Sequence, residues 1–100
     1  MITVLARLTA AAGKEAQMQA ELEKMVAAVD GNEPGVAVYS LHTVQDQPGV
    51  FLFYEQYASQ EAFQAHGQTD HMKALGAALR ELSGGRPEIT RLTQIAGVHR

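Results

Sequence analysis

One hundred residues suffice for one domain and leave little room for a second core. Apolar residues make up 46% of the chain and charged residues 19%, the proportions of an ordinary folded protein, which excludes a disordered tail or a fibrous repeat. The formal net charge is -3, Lys and Arg are scattered singly from Arg7 to Arg100, and cysteine is absent. No basic stripe is therefore available for nucleic acid, and disulfides, thiolate nucleophiles, iron–sulfur clusters and cysteine zinc sites are removed together.

Small residues Ala10 to Ala12 follow an apolar run, but Arg7 interrupts it and no charged region precedes it, so an export signal is rejected. No apolar stretch approaches the roughly 20 residues that span a bilayer. The reading is a soluble protein, consistent with a reducing cytoplasm, with neither nucleic acid nor membrane as partner.

Ile2, Val4, Ala6 and Leu8 alternate with Thr3 and Arg7 as in a strand, with Leu5 the one apolar residue on the other face. Beyond Gly13, the residues Met18, Leu22, Met25, Val26 and Val29 form one face of a helix over about Lys14 to Asp30. The breaker cluster Gly31-Asn32-Glu33-Pro34-Gly35 ends it, and Val36 to Val44 reads as a second strand. A turn signal at Asp46-Gln47-Pro48-Gly49 then leads to a third strand, Val50 to Tyr57, which makes an antiparallel hairpin with the second. Ser59 is a cap for a short helix carrying Ala62, Phe63 and His66, which Gly67 ends. Thr69 or Asp70 caps another, with Met72, Leu75, Leu79 and Leu82 at helical spacing, stopped by Ser83-Gly84-Gly85. Glu88 to Ile95 alternates as a fourth strand.

The order β-α-β-β-α-β, its second helical region split near Gly67, predicts a single α+β domain over residues 1–100, ferredoxin-like, with a four-stranded antiparallel sheet covered by helices on one face. Phe51, Phe53 and Tyr57 share one face of the third strand with Glu55, while Val50, Leu52 and Tyr54 share the other with Gln56. Helices on one face leave the second apolar face without cover, and a second copy of the sheet is the simplest cover, so a homodimer is expected.

No nucleotide loop is visible: Gly84-Gly85 follows a helix instead of opening one, and no serine sits in a GxSxG elbow. The titratable groups Glu55, Tyr57, His66 and His71 cluster within a short span and form the candidate catalytic set, which must converge on one cavity. Five-residue spacing puts His66 and His71 about 140° apart on a continuous helix, and no clear third ligand accompanies them, so no metal is expected. Each residue also has a plain alternative. His66 could hydrogen-bond a carbonyl on a packing face, and His71 could be a solvated residue in a first turn. Glu55 could pair with a structural arginine or backbone amide, and Tyr39, Tyr54 and Tyr57 could be core or interface aromatics. Phe51, Phe53, Phe63 and the methionines, Met72 among them, suit a core or an apolar wall around a flat organic ligand.

Glu33-Pro34-Gly35 ahead of Tyr39, then Phe53-Tyr54-Glu55-Gln56-Tyr57, Phe63, His66 and Thr69-Asp70-His71-Met72, resemble the antibiotic biosynthesis monooxygenase domain over nearly the whole chain. The resemblance implies a dimeric α+β barrel with one pocket per subunit between sheet and helices. It implies a cofactor-independent monooxygenase acting with dioxygen on a small aromatic quinol or phenol, because an electron-rich phenolate can itself pass an electron to dioxygen. In that scheme His66 or His71 is the base or hydrogen-bond partner and Glu55 orients it, while Tyr57, Tyr39, Phe53, Phe63 and Met72 line the pocket. The haem-degrading branch resembles a fold with an Asn on the first strand and a later Trp; Ile2 to Leu8 has no Asn and the chain has no Trp. Tyr54-Glu55-x-Tyr57 and His66-x-x-Thr69-x-His71 also look like the branch that isomerises a phosphorylated autoinducer sugar. A non-oxidative isomerase of a small phosphorylated ketose or diketone and a non-catalytic ligand-binding dimer therefore stay open.

Overall fold

The computed structural model describes residues 1–100. The elements are β1 (Ile2–Thr9), α1 (Glu15–Asn32), β2 (Val36–Val44), β3 (Gln47–Tyr57), α2 (Gln60–Gly67), α3 (Asp70–Leu82) and β4 (Glu88–Leu92). The strands form one antiparallel sheet in the order β2-β3-β1-β4, so β3 and β1 are central and β2 and β4 are edges. This is the ferredoxin-like α+β arrangement, with the second helical region divided between α2 and α3.

Alternation along the central strands decides what each face does. Val4, Ala6 and Leu8 of β1 and Phe51 and Phe53 of β3 point into the core. There they meet Met18, Leu22, Met25 and Val29 of α1 and Leu75 and Leu79 of α3. On the other face Leu5, Leu52 and Tyr54 are only half-buried, because no helix covers them.

Three boundaries differ from the sequence reading. Helix α1 runs through Gly31 and Asn32, where the Asn32 side-chain amide donates to the Ala28 carbonyl at 2.8 Å; Pro34, not the glycine, stops it. Strand β3 begins at Gln47, because Asp46 (φ 63°) takes the turn conformation and Gly49 (φ 81°) absorbs a register shift between Thr43 and Val44. Strand β4 stops at Leu92, which pairs with Thr3 near the start of β1, so little partner strand remains for Thr93 to Ile95.

Candidate functional site

Glu33 stands where α1 gives way to β2. Its N–H donates to the Val29 carbonyl at 3.0 Å and Pro34 turns the chain away. Gly35 follows because α2 crosses closely here: a side-chain carbon at position 35 would lie 2.8 Å from Cβ of Ala62. Ser59 caps α2 by accepting from the Ala62 N–H at 3.1 Å. Thr69 joins the two short helices: its hydroxyl donates to the His66 carbonyl at 2.9 Å and accepts from the Met72 N–H at 3.2 Å. The break between Gly67 and Asp70 re-aims the chain, so histidines that would diverge on one continuous helix meet on one carboxylate.

That carboxylate is Glu33. His66 Nδ1 lies 3.0 Å from Oε1 and 3.2 Å from Oε2, and His71 Nε2 lies 2.5 Å from Oε2. The Glu33 side chain is 8% exposed, that of His66 8% and that of His71 21%. No Lys or Arg bridges to Glu33, so the two imidazoles are its side-chain partners. No group of three or more His, Cys, Asp or Glu side chains is arranged to hold a metal ion.

A second pair lies on β3, where the Tyr57 hydroxyl donates to Oε1 of Glu55 at 2.5 Å. Burial pushes the Glu55 carboxyl above its ordinary value, against the opposing pull of the Tyr57 hydrogen bond and of His66. Burial first and neighbouring carboxylates second push Tyr39 far above the ordinary phenol range; for Tyr57, burial is followed by its hydrogen bond to Glu55. Both phenols keep their protons at neutral pH, and Tyr57 uses its proton as the donor to Glu55. Aromatic contacts join the pairs: the His66 ring centroid lies 5.3 Å from Tyr57 and 5.4 Å from Tyr39, and Tyr39 lies 4.6 Å from Phe53.

Between the sheet and α2 and α3 is a cavity of about 590 Å³. Its walls are mainly apolar and include Tyr39, Phe53, Phe63 and Met72, four of the five residues expected to line it; Tyr57 is the exception. Glu55 and His66 reach it as well, with Gln64 and Arg86 as the other polar wall residues. Tyr57 and His71, placed with them in the candidate catalytic set, do not line it. Tyr57 is fully buried behind Glu55, and His71 borders a small recess of about 190 Å³ between α1 and α3. The four groups thus fall into one hydrogen-bonded pair, Glu55 and Tyr57, and one trio in which Glu33 bonds both His66 and His71, each set with one member at the cavity.

Atoms left unpaired show what the cavity offers. His66 has no partner for Nε2 and Glu55 none for Oε2, yet no buried side-chain nitrogen or oxygen lacks a partner. Both atoms are therefore accessible, and both residues line this cavity. A larger groove of about 860 Å³ runs between α1 and the edge strand β2, but it holds neither His66 nor Glu55. The smaller cavity is the candidate site, since it joins an apolar enclosure to convergent polar atoms.

The model of the antibiotic biosynthesis monooxygenase family matches residues 1–78. The chain belongs to that family. A solved Caulobacter crescentus structure, whose name places it among the antibiotic biosynthesis monooxygenases, shares 37% identity, covers 95% of this chain and 90% of its own, and superposes with a TM-score of 0.88. The protein PA3566 from Pseudomonas aeruginosa shares 27% identity over 95% of this chain and 94% of its own, with a TM-score of 0.88. A Deinococcus radiodurans structure at 23% identity covers 100% and 98% with a TM-score of 0.88, and shows the shared fold. No curated protein matches. Family membership supports a monooxygenase as the general type of activity and small-molecule binding as its setting. No helix is long and apolar enough to cross a membrane.

Glu33 is the functional candidate that the sequence reading missed. In the sequence it stands out only as part of the Glu33-Pro34-Gly35 signature, and its bonds to residues 33 and 38 positions away leave no periodic trace. The one available signal was an acidic residue inside an otherwise turn-forming cluster.

Proposed function

We propose that the protein is a cytoplasmic homodimeric monooxygenase that oxidises a small aromatic quinol or phenol with dioxygen and needs no flavin, metal or haem. The observation that carries this reading is the accessible Nε2 of His66 in a mainly apolar cavity, with Nδ1 held by Glu33. Donation of Nδ1–H to the carboxylate leaves Nε2 as the basic nitrogen, the tautomer a general base requires. His66 takes the phenolic proton on Nε2, which breaks the O–H bond of the phenol and leaves a phenolate. The electron-rich ring passes an electron to dioxygen, and recombination forms the new C–O bond. One oxygen atom enters the ring and the other leaves as water, with all electrons supplied by the substrate. Glu55, through its cavity-facing oxygen, orients the ring by accepting from a second hydroxyl, and Tyr39, Phe53, Phe63 and Met72 hold its faces.

The isomerase reading receives less support, because handling a phosphate calls for a convergent basic pair. Arg86 is the only cation on the cavity wall, and Arg7 is engaged with Gln47 at 2.6 Å and Glu88 at 3.7 Å. The test is oxygen uptake with 1,4-dihydroxynaphthalene, using labelled dioxygen to follow oxygen into the product. Uptake above the autoxidation background with one labelled atom in the product is expected, and His66→Ala lowers its rate by about 10²-fold or more. Uptake no faster than autoxidation would overturn the reading.

A further inference from the structure

His71 is tied to the same carboxylate as His66 yet faces away from the cavity. Two facts set the chemistry of this trio. A buried carboxylate needs a compensating charge, and the partners available to Glu33 are imidazoles. One carboxylate balances one imidazolium, so the two rings compete for it. Of the two, His71 is the more exposed, and an imidazolium there keeps more of its hydration. Its Nδ1 has no partner, and no buried side-chain nitrogen is unpaired, so Nδ1 is open to solvent.

From this geometry we infer that His66, Glu33 and His71 form a charge relay across the helix junction, through which the outer imidazole releases a proton as the cavity imidazole takes one. The inference rests on the reading of His66 as the base. Before reaction His66 carries one proton, on Nδ1, and His71 carries two. When a substrate O–H bond breaks, its proton bonds to Nε2 of His66, and the Nδ1–H bond of His71 breaks to give a proton to water. Glu33 stays a carboxylate throughout, accepting Nδ1–H from His66 and Nε2–H from His71. One proton enters the trio and one leaves, so the buried charge does not change. His71 is a positioning residue in this scheme: it touches no substrate and acts through Glu33. The alternative, a purely structural clamp, would hold the rings in place without linking their protonation.

The other charged and titratable neighbours are few. His66 faces Tyr39 of β2 and Glu55 and Tyr57 of β3, and Arg86, ahead of β4, shares its cavity wall. His71 shares its recess with Glu21 and Lys24 of α1, and its own helix carries Asp70 and Lys73. Lys24 already pairs with Glu21 at 3.1 Å.

Long-range ¹H–¹⁵N spectra of the histidine side chains in the full ¹⁵N-labelled chain, from about pH 5 to about pH 9, test the relay without any substrate. In His71→Gln, whose amide can still donate to Glu33 but carries no charge, His66 is expected to hold its second proton to a pH about one unit higher than in the unaltered protein. An unmoved His66 curve in a folded His71→Gln variant overturns the relay. Should that variant fail to fold, the unaltered protein decides: curves for His66 and His71 that depart from single-site form over the same pH range support it, and two independent single-site curves overturn it. Missing quinol-dependent oxygen uptake would remove the proposed activity and leave these spectra unaffected, so the two failures are distinguishable.

Discussion

Glu55 is the residue whose burial has the most direct consequence for stability. Its carboxyl titrates near 4.5 in the unfolded chain and higher in the folded one, mainly because burial penalises the charged form. Between those two values the folded state binds more protons than the unfolded state. This group's contribution therefore falls as pH rises through the window that begins near 4.5. Glu55→Gln keeps an oxygen for the Tyr57 hydroxyl and removes the titration. The stability of the unaltered protein minus that of Glu55→Gln is accordingly expected to decline with pH across that window, measured by urea unfolding at each pH. A constant or rising difference would contradict the assignment. Tyr57 acts on the same group from behind, as a donor to Glu55 and not as a base, because its own proton is held too tightly to leave.

At the scale of the element, the junction between α2 and α3 sets the geometry of the histidines. Thr69 holds the end of one helix and the start of the next through a single hydroxyl. Thr69→Ala is expected to lower stability by about 1 kcal/mol, as the loss of a cap usually does, while Thr69→Ser retains most of it; chemical denaturation midpoints compare the two. The elements themselves were readable from local pattern. The 3.6-residue spacing of Met18, Leu22, Met25 and Val29, the alternation through Phe51 to Tyr57, and the caps at Ser59 and Thr69 all correspond to observed structure. Local pattern could not show how the helix break turns His66 and His71 onto Glu33, since that depends on where α1 ends relative to α2. Nor could it separate Glu55, which faces the cavity, from Tyr57, two positions on and on the same strand face, which is fully buried. Alternation assigns a face, whereas the helices above that face decide which part of it stays open.

For the molecule as a whole, the helix-free face of the sheet carries Leu5, Leu52 and Tyr54, and β4 is exposed along its length, with Ile89 at 58% and Leu92 at 41%. Leu92, opposite Thr3, lies on the helix-free face, whereas Ile89, opposite Ala6, lies on the helix side at the cavity wall. A second copy seated on the helix-free face would bury Leu5, Leu52, Tyr54 and Leu92, which is the physical basis of the proposed dimer. Light scattering at micromolar concentration is expected to give the mass of two chains, and Leu52→Glu, which places a charge at the centre of that face, is expected to give the mass of one. A single-chain mass for the unaltered protein would remove the dimer from the proposal.

The two-residue repeat of β3 divides its side chains between separate tasks. Phe51, Phe53 and Glu55 look toward the helices, while Leu52, Tyr54 and Gln56 look the other way. Point substitutions can consequently change ligand preference without touching assembly, or assembly without touching the ligand, so the two properties are free to evolve at different rates. A one-residue deletion within this strand has no such freedom. It would exchange the two sets downstream of the deletion and turn Glu55 to the helix-free face, altering the cavity and the surface of the proposed dimer in a single step.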